Sequence, residues 1–266
     1  MHGCDPSAAP PAAAGTRWEM WTPQGRGRGV NPSELRVQIF ADGADLAAIK
    51  ALALNPLIKG FTTNPTLMRA SGITDYEAFA REVLPIVGDR PISFEVFADD
   101  FAEMIRQGRR IAAWGRNVYV KIPVTDTQGR SSDAVLRALS AEGISLNVTA
   151  MTTSGQVAQV VEFLDSRAPH FVSLFAGRIA DTGRDPVPVV SRCVEILRDR
   201  PEVKLIWASP REILNVVQAD QVGCHVITVT HDLLKKLSLL GRDLDEFSLD
   251  TVRMFHRDGL SAGFQL

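Results

Sequence analysis

Lys121 is flanked by Tyr119, Val120, Ile122 and Pro123, an apolar run in which a charged amine is out of place. Burying it costs desolvation energy unless the charge is paired or the amine gives up its proton. An amine whose pKa falls toward ~7–8 is a nucleophile near neutral pH, able to add to a carbonyl and form a Schiff base. Read alone, the same lysine could snorkel to a rim or pair with a carboxylate such as Asp42 or Glu95. Other short apolar runs, however, also carry polar groups toward their ends. These are Asp42; Thr62, Thr63 and Asn64; Glu95; Asn147 and Thr149; Ser173, leading into Arg178; and Ser209, followed by Arg211. With Lys121 this makes seven runs. The groups they bring suit three tasks. Carboxylates exchange protons with hydroxyls, amides and hydroxyls bind hydroxyls, and arginines give charge-assisted hydrogen bonds to phosphate.

The elements that must position these groups are eight candidate strands, at 35–42, 58–64, 91–98, 117–124, 144–151, 170–177, 202–209 and 224–231. Each is rich in Val, Ile or Phe, as a buried parallel strand requires. Amphipathic stretches lie between them. Residues 75–87 place Phe79, Val83 and Val87 on one face, with Pro85 expected to end or kink the helix. Residues 101–114 turn Met104, Ile105, Ile111 and Ala112 inward against outward arginines. Residues 154–164 open on Ser154 as N-cap and carry Val157, Val160, Val161 and Leu164 at helical spacing. Strands separated by helices pair in parallel through crossover connections. No Gly-x-Gly-x-x-Gly turn follows the first strand, which removes the main support for a dinucleotide-binding sheet. The pattern predicts an α/β fold, a (β/α)₈ TIM barrel over residues 35–266, with an extra C-terminal helix at 243–259 and a flexible N-terminal extension at 1–34. In such a barrel the interior is filled by side chains and chemistry collects at the C-terminal ends of the strands, where the polar residues fall.

The bulk properties agree. A chain of 266 residues suits one barrel, since that fold takes about 250. Hydrophobic residues at 45% and charged residues at 23% are in the range of ordinary soluble globular proteins. A net charge of −2 argues against nucleic-acid binding but leaves an anionic small molecule open, since local arginines would hold it. Cys4, Cys193 and Cys224 fit neither a disulfide framework nor a zinc site, which points to a reducing, cytoplasmic setting. No run approaches the ~18 apolar residues of a membrane span. The first fifteen residues lack the basic start and apolar core of a secretory signal and read as a tail rich in Pro, Ala and Gly. Trp18, Met20 and Trp21 suggest local docking, and the Arg-Gly repeats at 25–29 read as linker, short for an RNA contact. His225 and His231 read as structural, because nothing at metal-ligand spacing accompanies them.

Four segments together resemble the transaldolase family, which groups transaldolases with fructose-6-phosphate aldolases. Gly60-Phe61-Thr62-Thr63-Asn64-Pro65-Thr66-Leu67 is similar to its Thr-Thr-Asn-Pro signature, and Val120-Lys121-Ile122-Pro123 to its Schiff-base segment. Ser173 to Ile179 resembles its sixth-strand motif, and Ala208-Ser209-Pro210-Arg211 its phosphate-binding turn. The resemblance spans roughly residues 35–262. It implies that Lys121 attacks a ketose carbonyl, that Asp42 is the acid/base on the C4 hydroxyl, and that Glu95 and Thr149 hold the water that shuttles protons. It further implies that Thr62, Asn64 and Asn147 line the pocket of the three-carbon unit together with Ser173 and Phe175. Arg178, Ser209 and Arg211 are implied to hold the substrate phosphate. Neither a metal nor an organic cofactor is required. The lesser alternatives are Asn147 as a partner for buried backbone, Ser173 as barrel filler, and Arg211 as a solvated residue beginning a helix.

The implied reaction is transfer of a dihydroxyacetone unit between sugar phosphates. Its rivals are aldol cleavage of fructose 6-phosphate and a catalytically silent sugar-phosphate-binding paralogue. In the aldolases a tyrosine stands where this chain has Phe175 and a glutamine where it has Glu95, and both positions favour the transferase. A place in the pentose phosphate pathway and a role in making an unusual sugar are both open. The partners expected are small sugar phosphates, with no membrane or nucleic acid, and the size of a homo-oligomer is left open.

Overall fold

The computed structural model describes residues 31–264. The tail, the three apolar residues near position 20 and the Arg-Gly repeats therefore lie outside the described residues, as does Cys4. Eight parallel strands close into a barrel in sequence order, each paired with the next and β8 with β1. They are β1 Gln38–Asp42, β2 Ile58–Thr62, β3 Ile92–Glu95, β4 Val118–Pro123, β5 Leu146–Met151, β6 His170–Leu174, β7 Val203–Trp207 and β8 Val226–Thr230. Helices α1 Leu46–Ala53, α2 Pro65–Ala70, α3 Tyr76–Val87, α4 Phe101–Ala112 and α5 Asp133–Ala141 follow the first four strands. They are followed by α6 Ser154–Val161, α7 Ala176–Asp181, α8 Val187–Ile196, α9 Leu214–Gln221, α10 His231–Leu234 and α11 Leu244–Ala262. Among the described residues no helix is long and apolar enough to cross a membrane.

Period-two alternation divides each strand into a face toward the helices and a face toward the barrel axis. Ile39, Phe61, Phe94, Val120, Val148, Val172, Leu205 and Ile227 join the helices in the larger core. Phe40, Phe171, Ile206 and Val226 form a separate cluster, with Tyr119 against it, and plug the barrel interior. Phe40 meets Phe171 edge to face at 5.5 Å between ring centres, and Tyr119 stacks at a tilt on Phe171 at 4.4 Å. Gly60 makes this plug fit, because a Cβ there would lie 2.5 Å from the Phe40 ring. Two residues along each strand from this plug, toward the C-terminal end, stand Asp42, Thr62, Lys121, Ser173 and Thr228. The apolar plug is the floor, and the polar layer is built on it.

The sequence reading needs several local corrections. Every strand is shorter than expected, and the sixth stops at Leu174, so that Phe175 is the N-cap of α7 and Gly177 is helical. Pro85 does not end its helix; it sits in the last turn of α3, on the exposed side, where the carbonyl it strands can face water. The N-cap of α6 is Thr153 rather than Ser154, in a reciprocal box with Gln156 that satisfies two terminal N–H groups. Arg211 does not begin a helix; it lies in the irregular segment ahead of α9. The last helix starts at Leu244, with Asp243 capping it, and runs to Ala262 with Phe247, Val252, Phe255 and Leu260 exposed.

Candidate active site

A cavity of about 550 Å³ opens at the C-terminal end of the barrel. Lys121 projects into it from β4 and is 6% exposed. Its Nζ donates to the Thr63 carbonyl at 3.0 Å and lies 3.4 Å from Glu95 Oε2. The β3–β4 register sets the second contact, since Glu95 and Lys121 are directly paired. One carbonyl and one carboxylate answer the desolvation cost of the buried amine, and the side chain still borders the cavity.

Asp42 ends β1 on the same cavity. Burial pushes its carboxyl above the ordinary range, opposed by the positive charge of Lys121 and by the Thr62 hydroxyl. Thr62 Oγ1 donates to Asp42 Oδ1 at 2.7 Å and lies 2.5 Å from Thr228 Oγ1. With the Thr62 proton committed to Asp42, Thr228 is the donor in that second bond. Thr228 was missed in the sequence, although it follows Val226 in the same inward phase of β8. It closes the polar layer between the last strand and the second.

Thr149 Oγ1 is buried, borders the cavity and has no hydrogen-bond partner among the described residues. A stranded hydroxyl costs ~1–3 kcal/mol, a cost that a bound polar group would offset. The chain reaches it through a bulge, where Ala150 takes φ 65° and the β5–β6 register slips between Val148 and Met151. Asn64 caps α2 with its Oδ1, accepting from Leu67 N–H at 2.9 Å, so its amide N–H₂ is what remains to face the cavity. Asn147 is fully buried and lies outside the cavity wall, with both amide ends on neighbours: Nδ2 donates to Ser93 Oγ at 2.9 Å and Oδ1 accepts from Ser173 Oγ at 2.7 Å. This Ser93–Asn147–Ser173 chain ties β3, β5 and β6 together, and Ser173 is the member that borders the cavity.

The rim carries Phe175, Arg178, Ser209 and Arg211. The Arg178 guanidinium lies over the Phe175 ring, 5.6 Å from its centre, and among the described residues it forms no ion pair. Arg211 is held by both oxygens of Asp181, one of them accepting from Nε at 2.8 Å, and the guanidinium draws the Asp181 carboxyl below its usual range. Ser209 has φ 60°, left-handed for a residue with a side chain. Two cations on one lip, above a buried lysine and two carboxylates, suit an anionic substrate with a reacting carbonyl deeper in. A neighbouring cavity of about 470 Å³ shares Asp42, Leu67 and Thr230 but has neither lysine nor arginine in its wall.

Residues 39–263 match the family model described as transaldolase/fructose-6-phosphate aldolase. A probable transaldolase of Clostridium acetobutylicum is 37% identical over 227 residues, covering 83% of this chain and 100% of that protein. One from Dehalococcoides mccartyi is 35% identical over 202 residues, covering 76% and 90%, and one from Nitrosopumilus maritimus is 32% identical over 203 residues, covering 76% and 87%. A solved structure of a mandelate oxidase mutant with a monooxide FMN adduct superposes with a TM-score of 0.51 at 12% identity, over 79% of this chain and 72% of that one, which speaks to the barrel alone. A closed eightfold barrel with a lysine on its fourth strand, matched over nearly its whole length, belongs to the transaldolase/fructose-6-phosphate aldolase family.

Proposed function

We propose that the chain is a transaldolase, moving a three-carbon dihydroxyacetone unit from a ketose phosphate, fructose 6-phosphate or sedoheptulose 7-phosphate, to an aldose phosphate. The observation that carries this reading is the Lys121 amine, buried at the cavity floor between a carbonyl at 3.0 Å and the Glu95 carboxylate at 3.4 Å, with Asp42 on the same cavity. The amine adds to the ketose C2 carbonyl, and the carbinolamine loses water to give an iminium. Glu95 and the Thr149 hydroxyl handle the proton and the water of that step. Asp42 takes the proton of the C4 hydroxyl as the C3–C4 bond breaks, and the bonding pair passes into the iminium as an enamine. The aldehyde product leaves, an aldose phosphate takes its place, and the steps reverse with Asp42 returning the proton. A carboxyl already raised by burial is closer in proton affinity to this task than a solvated one.

Arg178 and Arg211 are the phosphate ligands in this reading. Alanine at either should weaken binding of a phosphorylated donor by ~1.5–3 kcal/mol, the range for hydrogen bonds to charged groups. KM for fructose 6-phosphate reports it, and transfer from unphosphorylated dihydroxyacetone donors should change much less. Equal losses on both donor types would assign the arginines a structural role instead.

Phe175 decides between transfer and simple cleavage. Release of dihydroxyacetone requires protonation of the enamine carbon and hydrolysis of the imine. A phenol at this position can organise water there; a phenyl ring cannot. With fructose 6-phosphate alone, little free dihydroxyacetone is expected, and turnover should begin when an aldose phosphate is added. Phe175→Tyr should raise acceptor-free release about tenfold, ~1.4 kcal/mol in barrier terms, and lower transfer. Wild-type release as fast without acceptor as with it would make the chain an aldolase.

A further inference from the structure

The ladder between β2 and β3 stops early, and one side chain takes its place. Phe61 N–H donates to Pro91 O at 2.8 Å and Thr63 N–H to Ser93 O at 3.2 Å. In a parallel ladder, alternate residues send both backbone groups to the same neighbour. Glu95, two residues beyond Ser93, therefore turns its N–H and C=O toward the β2 side. The regular acceptor for its N–H is Thr63 C=O, and the regular donor to its C=O is residue 65. That residue is Pro65, which has no N–H. Neither ladder bond forms. The Tyr76 phenol oxygen accepts from Glu95 N–H at 2.8 Å and donates to Glu95 C=O at 3.2 Å. Thr63 C=O, thus released from the ladder, is the group that accepts from Lys121 Nζ.

We infer that Tyr76 is a positioning residue for the reaction: by substituting for the missing β2 partner it orients Glu95 and frees the Thr63 carbonyl to hold the Lys121 amine. This rests on the Schiff-base reading above. The phenol itself is well placed to stay put. Its ring is packed edge-on by Phe94, Phe97 and Trp114, with centres 5.8, 4.5 and 5.5 Å away. Burial raises the phenol above its ordinary range, so it keeps the proton it donates. Without the hydroxyl, Glu95 N–H is left to compete with Lys121 for Thr63 C=O, and both groups that touch the amine shift together.

The test is Tyr76→Phe, which keeps the ring and removes only the oxygen. In the full chain with fructose 6-phosphate and an aldose phosphate, kcat and the rate of borohydride-trapped adduct formation on Lys121 should both fall roughly 30-fold, the size of a lost hydrogen bond beside a charge. KM should stay within about twofold of wild type, because the phosphate site is not touched. Site-specific 3-fluorotyrosine at position 76 retains ring and hydroxyl and should restore at least about half of the wild-type rate. Overturning results are wild-type kcat in Tyr76→Phe, a loss confined to KM, or a 3-fluorotyrosine protein as slow as Tyr76→Phe. If wild type itself gives no adduct on Lys121, the Schiff-base reading fails; if wild type is trapped and Tyr76→Phe is trapped equally fast, only the role of Tyr76 falls.

Discussion

Lys121→Ala is expected to lower turnover by at least about 10⁴-fold, some 5.5 kcal/mol of barrier, with the protein still folded. The proposed step needs an electron sink for the pair released when C3–C4 breaks, and an iminium on this amine is what supplies it. Among the residues bordering the cavity there is no second lysine to take over. Removing the side chain also leaves the Thr63 carbonyl and the Glu95 carboxylate without the cation between them, which softens the floor but does not open the core. Arginine at the same position keeps the charge and cannot form the imine, so Lys121→Arg separates chemistry from electrostatics and should be equally inactive. The direct check is mass spectrometry after incubation with fructose 6-phosphate and borohydride, where a reduced three-carbon unit should appear on Lys121 and nowhere else. Label on another lysine, or full turnover in the arginine variant, would remove the covalent mechanism.

Gly177→Ala should damage substrate affinity and stability, for a reason of space alone. A Cβ at Gly177 would stand 1.5 Å from the Ser209 carbonyl oxygen and 2.7 Å from its carbon, both backbone atoms with no rotamer to escape into. Gly177 N–H also donates to Ala208 O, so the first turn of α7 and the turn after β7 are interlocked. Separating them to van der Waals distance means moving one turn by more than an ångström. Arg178 follows Gly177 directly and Arg211 lies two residues past Ser209, so the motion spreads the two cations of the rim apart. The expected result is a loss of about 3 kcal/mol or more in stability, at the severe end for overpacking, and a rise of roughly 100-fold in KM for a phosphorylated donor, as if one charge-assisted contact were lost. Trapping of unphosphorylated dihydroxyacetone on Lys121 should survive, since β4 and β3 are untouched. An alanine variant with wild-type Tm and KM would mean that this turn is not rigidly held.

Much of this protein was legible in the chain because it depends on local alternation. A strand has period two, so once Phe40, Tyr119, Phe171 and Val226 are taken as inward, Asp42, Lys121, Ser173 and Thr228 must also be inward, one layer nearer the C-terminal ends. The strand–helix repeat demanded parallel pairing, and eight units without a dinucleotide turn favoured closure, which the barrel shows. What the chain could not disclose depends on how far each strand is staggered against the next, and on loops that meet across long sequence separations. Stagger places Glu95 and Asn147 on either side of Lys121, with Glu95 against its amine and Asn147 locked between Ser93 and Ser173. Loop meetings put Asp181 on Arg211, the Ser209 carbonyl on Gly177 and the Tyr76 phenol at the open end of β3. Residue type and periodicity determine which groups face the axis; the closed barrel, with its register set by pairing all the way around, decides which of them touch.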